Sequence, residues 1–214
     1  MTYDVADIMR DIRITLDMNN SSEALLDVDD IDALTLDELI RKKLPVAARI
    51  VHTKAPRYLL DSGRAFGETI GWIGSVGIGC GVIHLPDDFM RLVSFQMSDW
   101  DYPVVEAITE ESPEYAKLHS RFPGLSGCPQ RPVVAITQQP VGQVLEFYSC
   151  TAGSSVTLRR ARYIPYPKIK NNGIELCEKL YDATVHYTAY LVALSMRATE
   201  LANALLSISE NLMI

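Results

Sequence analysis

The sequence predicts an α+β fold: a helical-bundle body, made of N-terminal helices and a C-terminal helix pair, carrying a β-rich insert of four or five short antiparallel strands. Three observations predict it. Apolar residues recur at helical spacing towards both ends of the chain, they alternate with period two in the middle, and an abrupt turn to glycine at residue 63 divides the two regimes. At 214 residues the chain is long enough for one sizeable core, or for a helical body with a smaller insert. The expected segments are N-terminal helices over 1–62, a glycine-rich loop over 63–81, the β-rich insert over 82–167, and C-terminal helices over 168–214 that pack with 1–62 as one body.

Val5, Ile8, Met9, Ile12 and Leu16 share a helical stripe, with Thr2 as cap and Asp4 at the positive end of the dipole, so a helix is expected over 3–17. NNSS at 19–22 breaks it. Thr35-Leu-Asp-Glu38 is a capping box, in which hydroxyl and carboxylate each satisfy an orphan amide, and it starts a helix over 36–54. Pro45 lacks a backbone donor and is expected to kink or break that helix. Seven glycines between 63 and 81 raise the entropy cost of fixing the segment, which suits a loop that becomes ordered against a partner. Beyond it Val93, Phe95 and Met97 alternate with Ser94 and Gln96, and further strands are expected over 133–136, 143–148 and 155–164, separated by the turn sequences QPVG and TAGS. Ser112-Pro113-Glu114 opens a short helix among them. After the proline-rich YIPYPK, a helical region from Ile174 puts Leu176, Leu180, Val185, Thr188 and Leu191 on one stripe and Leu201, Leu205, Ile208 and Leu212 on another, with a turn between Ser195 and Thr199.

An apolar share of 48% with 22% charged residues is that of a globular chain, and no run reaches the roughly 18 apolar residues of a membrane span. The acidic, amphipathic N-terminus is unlike a secretory signal, so folding in the cytoplasm is expected, and the four scattered cysteines read as reduced small hydrophobes. A net charge of −7 argues against a dedicated nucleic-acid binder. That charge is unevenly placed. Residues 1–38 hold eleven acidic and two basic side chains, 41–57 hold six basic and no acidic ones, and 159–170 hold five basic and no acidic ones. Blocks of opposite sign can pair within a chain or between copies. Arg41, Lys42 and Lys43 are therefore interaction candidates, as are Arg160 and Arg162, expected on one face of their strand with Arg159 on the other.

Catalytic, cofactor and metal motifs are not found. DVDDID at 27–32 fails as a calcium loop because Ile31 and Asp32 stand where a ligand and the sharp-turn glycine are needed. GETIGWIGSVGIGCG has no Gly-Lys-Ser/Thr and leads into a strand rather than a helix. Asp87 and Asp88 are adjacent and suit a turn, the four histidines stand singly, and no serine sits in a GxSxG elbow. The expectation is a protein that is not an enzyme and needs no cofactor. The C-terminal Leu212, Met213 and Ile214 extend apolar surface to the last residue and are candidates for docking on a partner.

An acidic first helix, a second around LIRKKLPVAARIV followed by KAPRYLLDSG, a glycine-rich stretch, LPDDFMRLVSFQMSDWDYPV, then QRPVVAI, QVLEFYSC and a paired-helix C-terminus follow in order. This arrangement resembles the head-to-tail connector (adaptor or ring) proteins of tailed bacteriophages, and among them those of crAss-like podoviruses. The resemblance covers most of the chain; LPDDFMRLV with Trp100 and RPVVAI are its most specific parts. It implies a structural virion protein in the neck, a homo-oligomeric ring, dodecameric in this family, seated below the portal protein, touching other neck and tail proteins and extending the channel through which phage DNA passes. It implies no membrane partner. Leu85–Val104 is similar to the family's link from helical body to β insert, with Trp100 and Tyr102 at a turn where an apolar anchor can meet a neighbour. Two readings of other classes compete: a monomeric adaptor module, and a nucleotide-binding phage enzyme.

Overall fold

The structure, a computed structural model, describes residues 1–16, 35–67, 69–73, 79–118, 120, 125, 127–140, 142–151 and 156–214. In chain order its strands are β1 (Thr2–Asp4), β2 (Arg64–Ala65), β3 (Gly71–Ile73), β4 (Gly79–His84), β5 (Phe89–Met97), β6 (Ile108–Thr109), β7 (Val134–Gln139), β8 (Gly142–Cys150), β9 (Leu158–Pro165), β10 (Ile169–Lys170) and β11 (Gly173–Glu175). The helices are α1 (Val5–Thr15), α2 (Leu36–Lys54), α3 (Tyr115–Leu118), α4 (Tyr181–Ser195) and α5 (Thr199–Asn211). The chain divides into two units, Met1–Asp61 with Tyr166–Ile214, and Ser62–Pro165.

In the first unit α4 is the central helix. It buries Ala183, Val185, Ala189 and Val192 and packs against α1, α2 and α5. Its interior threonines stay satisfied because Thr184 and Thr188 each donate to the carbonyl four residues back, at 2.7 Å. The Ser209 hydroxyl donates to the Ala183 carbonyl at 2.9 Å and fixes α5 on α4. Val5, Ile8 and Ile12 of α1 and Leu36, Ile40, Leu44 and Ala48 of α2 complete this core. The Thr35–Glu38 capping box forms as the sequence indicates. Pro45 neither breaks nor shortens α2, which runs unbroken from Leu36 to Lys54; the missing donor costs one carbonyl bond, at Arg41. The turn between α4 and α5 lies at Met196–Ala198, with Arg197 at φ 61°.

The expected helical-bundle body is corrected by a three-stranded sheet, in the order β1-β11-β10, built into this unit. Residues 2–4 form β1 rather than the first turn of α1, and Asp4 becomes the cap, its carboxylate accepting from the Ala6 amide at 2.8 Å. Asn171 and Asn172, at φ 48° and 61°, make the tight turn that folds β11 back on β10. Ile174 therefore lies in a strand and Leu176 just beyond it, and the helical region begins with a 3₁₀ turn at Glu178 rather than at Ile174.

The second unit holds two sheets, in the orders β2-β9-β5 and β3-β4-β8-β7-β6. Among the described residues it contains eight strands, of which β5, β6, β7, β8 and β9 lie wholly within the expected insert 82–167; β6 pairs with β7 in parallel, so the expectation that the strands are all antiparallel is corrected too. Phe66, Phe89, Phe95, Trp100, Phe147 and Tyr163 fill its core. The segment 63–81 is not a plain loop: it contributes β2, β3 and the start of β4. Its glycines serve close backbone approach. A Cβ on Gly63, at φ 68°, would lie 2.4 Å from the Tyr163 carbonyl oxygen, and one on Gly81 would lie 2.3 Å from the Phe147 ring. The break at 19–22, the acidic run at 27–32 and residues 74–78 of the glycine-rich segment lie outside the described residues.

Candidate interaction surfaces

The outer face of α2 is cationic. Arg41, Lys42, Arg49 and Lys54 are exposed along it, with Val46 at 48% exposure among them, while Lys43 turns partly inward. A guanidinium nitrogen of Arg41 donates to Asn172 Oδ1 at 2.6 Å, and the Arg49 guanidinium lies over the Tyr166 ring at 4.8 Å. These contacts carry the cationic surface from α2 to β10, where Lys168 and Lys170 are exposed. The sequence marked the block 41–57 but not Val46 or the ring beneath Arg49; the exposed helical line through 42, 46 and 49 was the available signal.

At the C-terminus the three candidates part company. Leu212 is 40% and Ile214 85% exposed, whereas Met213 is 8% exposed, so Met213 is removed from the docking set: the last turn points it inward. The Tyr58 hydroxyl donates to the Ile214 carbonyl and holds the tip on its own unit. On α5 Ala202, Leu205 and Ser209 face the core, Leu201 and Ile208 are exposed on the flank of that face, and Glu200, Asn203, Ser207 and Glu210 are exposed on the side away from it.

In the second unit Trp100 is 2% exposed and packs edge-on against Phe95 and Phe147. It is a core residue, not an anchor for a neighbour. Gln96 Nε2 donates to its carbonyl at 3.0 Å and closes the turn beneath it. Tyr102, two residues on, is 66% exposed. Arg159, Arg160 and Arg162 are all exposed on β9, because register shifts in the β5–β9 ladder disturb strict alternation, and Arg162 donates to the Gly63 carbonyl at 3.1 Å. Asp88 accepts from the Tyr163 hydroxyl at 2.7 Å and from Arg64 at 3.2 Å, so it ties the Pro86–Asp88 turn to β9 and β2. Sequence reasoning missed Trp72 and Ile73, exposed on the edge strand β3, and Tyr58.

The densest polar cluster surrounds Glu146 on β8. Its carboxylate accepts from Thr137 Oγ1 at 2.9 Å, Gln139 Nε2 at 3.2 Å, Tyr115 at 3.2 Å and the Tyr148 hydroxyl. Burial alone pushes its pKa up, but the four donors outweigh burial and hold it below the usual carboxylate value, while Tyr148 is pushed far up by burial and by this neighbour. Donors from α3, β7 and β8 converge on the one carboxylate, so the cluster binds α3 to the sheet. Among the described residues no group of three or more His, Cys, Asp or Glu could hold a metal ion, and no helix is long and apolar enough to cross a membrane.

No protein-family model matches the chain, and no curated protein matches it.

Proposed function

We propose that the chain is a structural protein of a tailed-phage virion, a head-to-tail connector ring below the portal that extends the DNA channel and joins capsid to tail. The observation that carries this reading is an exposed aliphatic stripe on α5, beside its buried face. Ala202 and Leu205 face the core, and Leu201 at 37%, Ile208 at 43% and Leu212 at 40% exposure line the flank of that face, while Glu200, Asn203, Ser207 and Glu210 take the side opposite the core. A surface helix normally turns a polar face to water, and such a stripe suits burial against a second protein. The kind of assembly and the copy number of twelve both rest on the family resemblance. The portal protein and adjacent neck or tail proteins are the expected partners, and the exposed Arg160 and Arg162 suit transient, non-specific contact with passing DNA. The negative overall charge suits a conduit that must not hold DNA. No enzymatic role belongs to this reading.

Electron micrographs of the purified chain, alone and mixed with a connector-type portal protein, test it. Rings, or a ring-shaped density added to the portal, are expected, and Ile208→Ser with Leu212→Ser should abolish portal attachment without changing the melt. Monomers under both conditions would end the proposal.

A further inference from the structure

Two exposed surfaces of the first unit carry opposite charge, and each holds one exposed aliphatic side chain. One is the ridge along α2 and β10, where Arg41, Lys42, Arg49, Lys168 and Lys170 surround or flank Val46. Both arginines are held in place, Arg41 by Asn172 and Arg49 over Tyr166, and neither contact uses up the guanidinium donors. None of these five cations forms an ion pair among the described residues. The other surface surrounds Tyr181, whose hydroxyl donates to Asp11 at 2.6 Å. Asp7, Glu178 and Asp182 are exposed around it. Ile14, 60% exposed, lies two turns along α1 on the same face as Asp7. Arg10 stands among them, paired with Asp7 at 2.8 Å, and Lys179, next to Glu178, donates to the Tyr58 carbonyl at 3.2 Å. The tyrosines register the field: burial first, and then these carboxylates, push Tyr3 and Tyr181 above their ordinary pKa.

We infer that the two surfaces meet between copies of the chain, the basic ridge of one against the acidic patch of the next. The contact is then heterologous: different surfaces face each other, so it propagates from copy to copy and makes a ring where the rotation between copies closes. This interface rests on the ring reading above and names the surfaces that would build it. A second copy suits the ridge better than nucleic acid for two reasons. Val46 gives the centre of the ridge an apolar contact that phosphates cannot use, and the complementary patch, with Ile14 as its own apolar contact, is present on every copy at fixed stoichiometry. An isolated surface pair contributes little, so the contact depends on several charges acting together around the aliphatic side chains.

A charge-exchange experiment on the full chain tests the pairing. Lys42→Glu with Arg49→Glu leaves the ridge three cations and sets two carboxylates beside Val46, and Asp7→Lys with Glu178→Lys weakens the acidic patch and adds cations to it. Each double variant alone should self-associate at least about tenfold more weakly than the parent, and their 1:1 mixture should recover assembly as an alternating ring. Mass photometry at low salt, with and without portal protein, reads the outcome, and circular dichroism checks each fold. Lys168→Glu with Lys170→Glu, and Asp182→Lys, serve as a second set if a variant misfolds. Variants that assemble like the parent, or a mixture that stays dissociated while the parent assembles, would overturn the interface and leave the ring reading standing. Duplex DNA lost from the ridge variant, with its assembly unchanged, would likewise overturn it and assign the ridge to phosphates. A parent chain that stays monomeric throughout would remove both.

Discussion

His52 is held by two backbone groups at once. Its Nδ1–H donates to the Ala48 carbonyl at 2.7 Å, and its Nε2 accepts from the Cys177 amide at 3.0 Å, so the fold requires the neutral ring. Burial, the largest influence, lowers its pKa below the ordinary 6.5. The unfolded chain takes up the proton first as pH falls, so the stability from this residue is complete above about pH 6.5 and is lost on acidification towards the depressed folded value. Thermal melts should show it: the parent should lose more stability between about pH 7.5 and 5.5 than His52→Gln, which cannot charge and which starts from a lower melting point. Equal slopes would remove His52 from the acid response. Gly81 makes a different demand. An alanine Cβ would press on Phe147, whose ring is hemmed in by Trp72 at 5.5 Å, Phe95 at 5.7 Å and Trp100 at 6.3 Å. Gly81→Ala should therefore cost about 1–3 kcal/mol in denaturant unfolding, and a neutral result would mean that the ring yields.

Elements held together by local chemistry were legible; those held by distant partners were not. The Thr35–Glu38 box specifies the start of α2 within four residues, and the turn near residue 197 follows from the length of the apolar stripe. Ile174 and Leu176 fit a strand as well as a helix, and what selects the strand is pairing with Thr2–Asp4 at the other end of the sequence. Trp100 and Met213 were misplaced for the same reason: their burial depends on which element closes over them. Two elements can be tested directly. Glu146→Ala would leave the Thr137 hydroxyl buried without its carboxylate and take from Tyr115 and Tyr148 the acceptor they share, which should cost about 3 kcal/mol; Glu146→Gln, whose amide oxygen still accepts, should cost less. On α5, Met213→Ala should destabilise by about 2 kcal/mol, whereas Leu212→Ala should change stability by under about 0.5 kcal/mol, because only the former empties packed space. Equal effects on the melt would contradict this division of the tip.

Across the whole molecule, the change from helical to two-residue period marked the middle of the chain as a different kind of structure, because periodicity records which side of an element meets a core. It could not show how strands distant in sequence pair, and so the sheet within the first unit and the two sheets of the second had no signature in any single window. The division does carry a consequence for folding. The second unit begins and ends on neighbouring strands: Arg64 pairs with Tyr163 and Ala65 with Arg162, and antiparallel partners sit roughly 5 Å apart. A segment whose two ends lie side by side can be removed and replaced by a short linker without stretching what remains. Each unit also has its own apolar core, around Ile8, Leu44 and Val192 in one and around Phe95, Trp100 and Phe147 in the other. Residues 62–165 expressed alone should therefore give a cooperative, β-type melt, and residues 1–61 joined by a short Gly-Ser linker to 166–214 should give a helical one. Circular dichroism and amide dispersion in proton–nitrogen spectra would read both. An unfolded 62–165 fragment, or a joined first unit without cooperative melting, would show that the two cores depend on each other for stability.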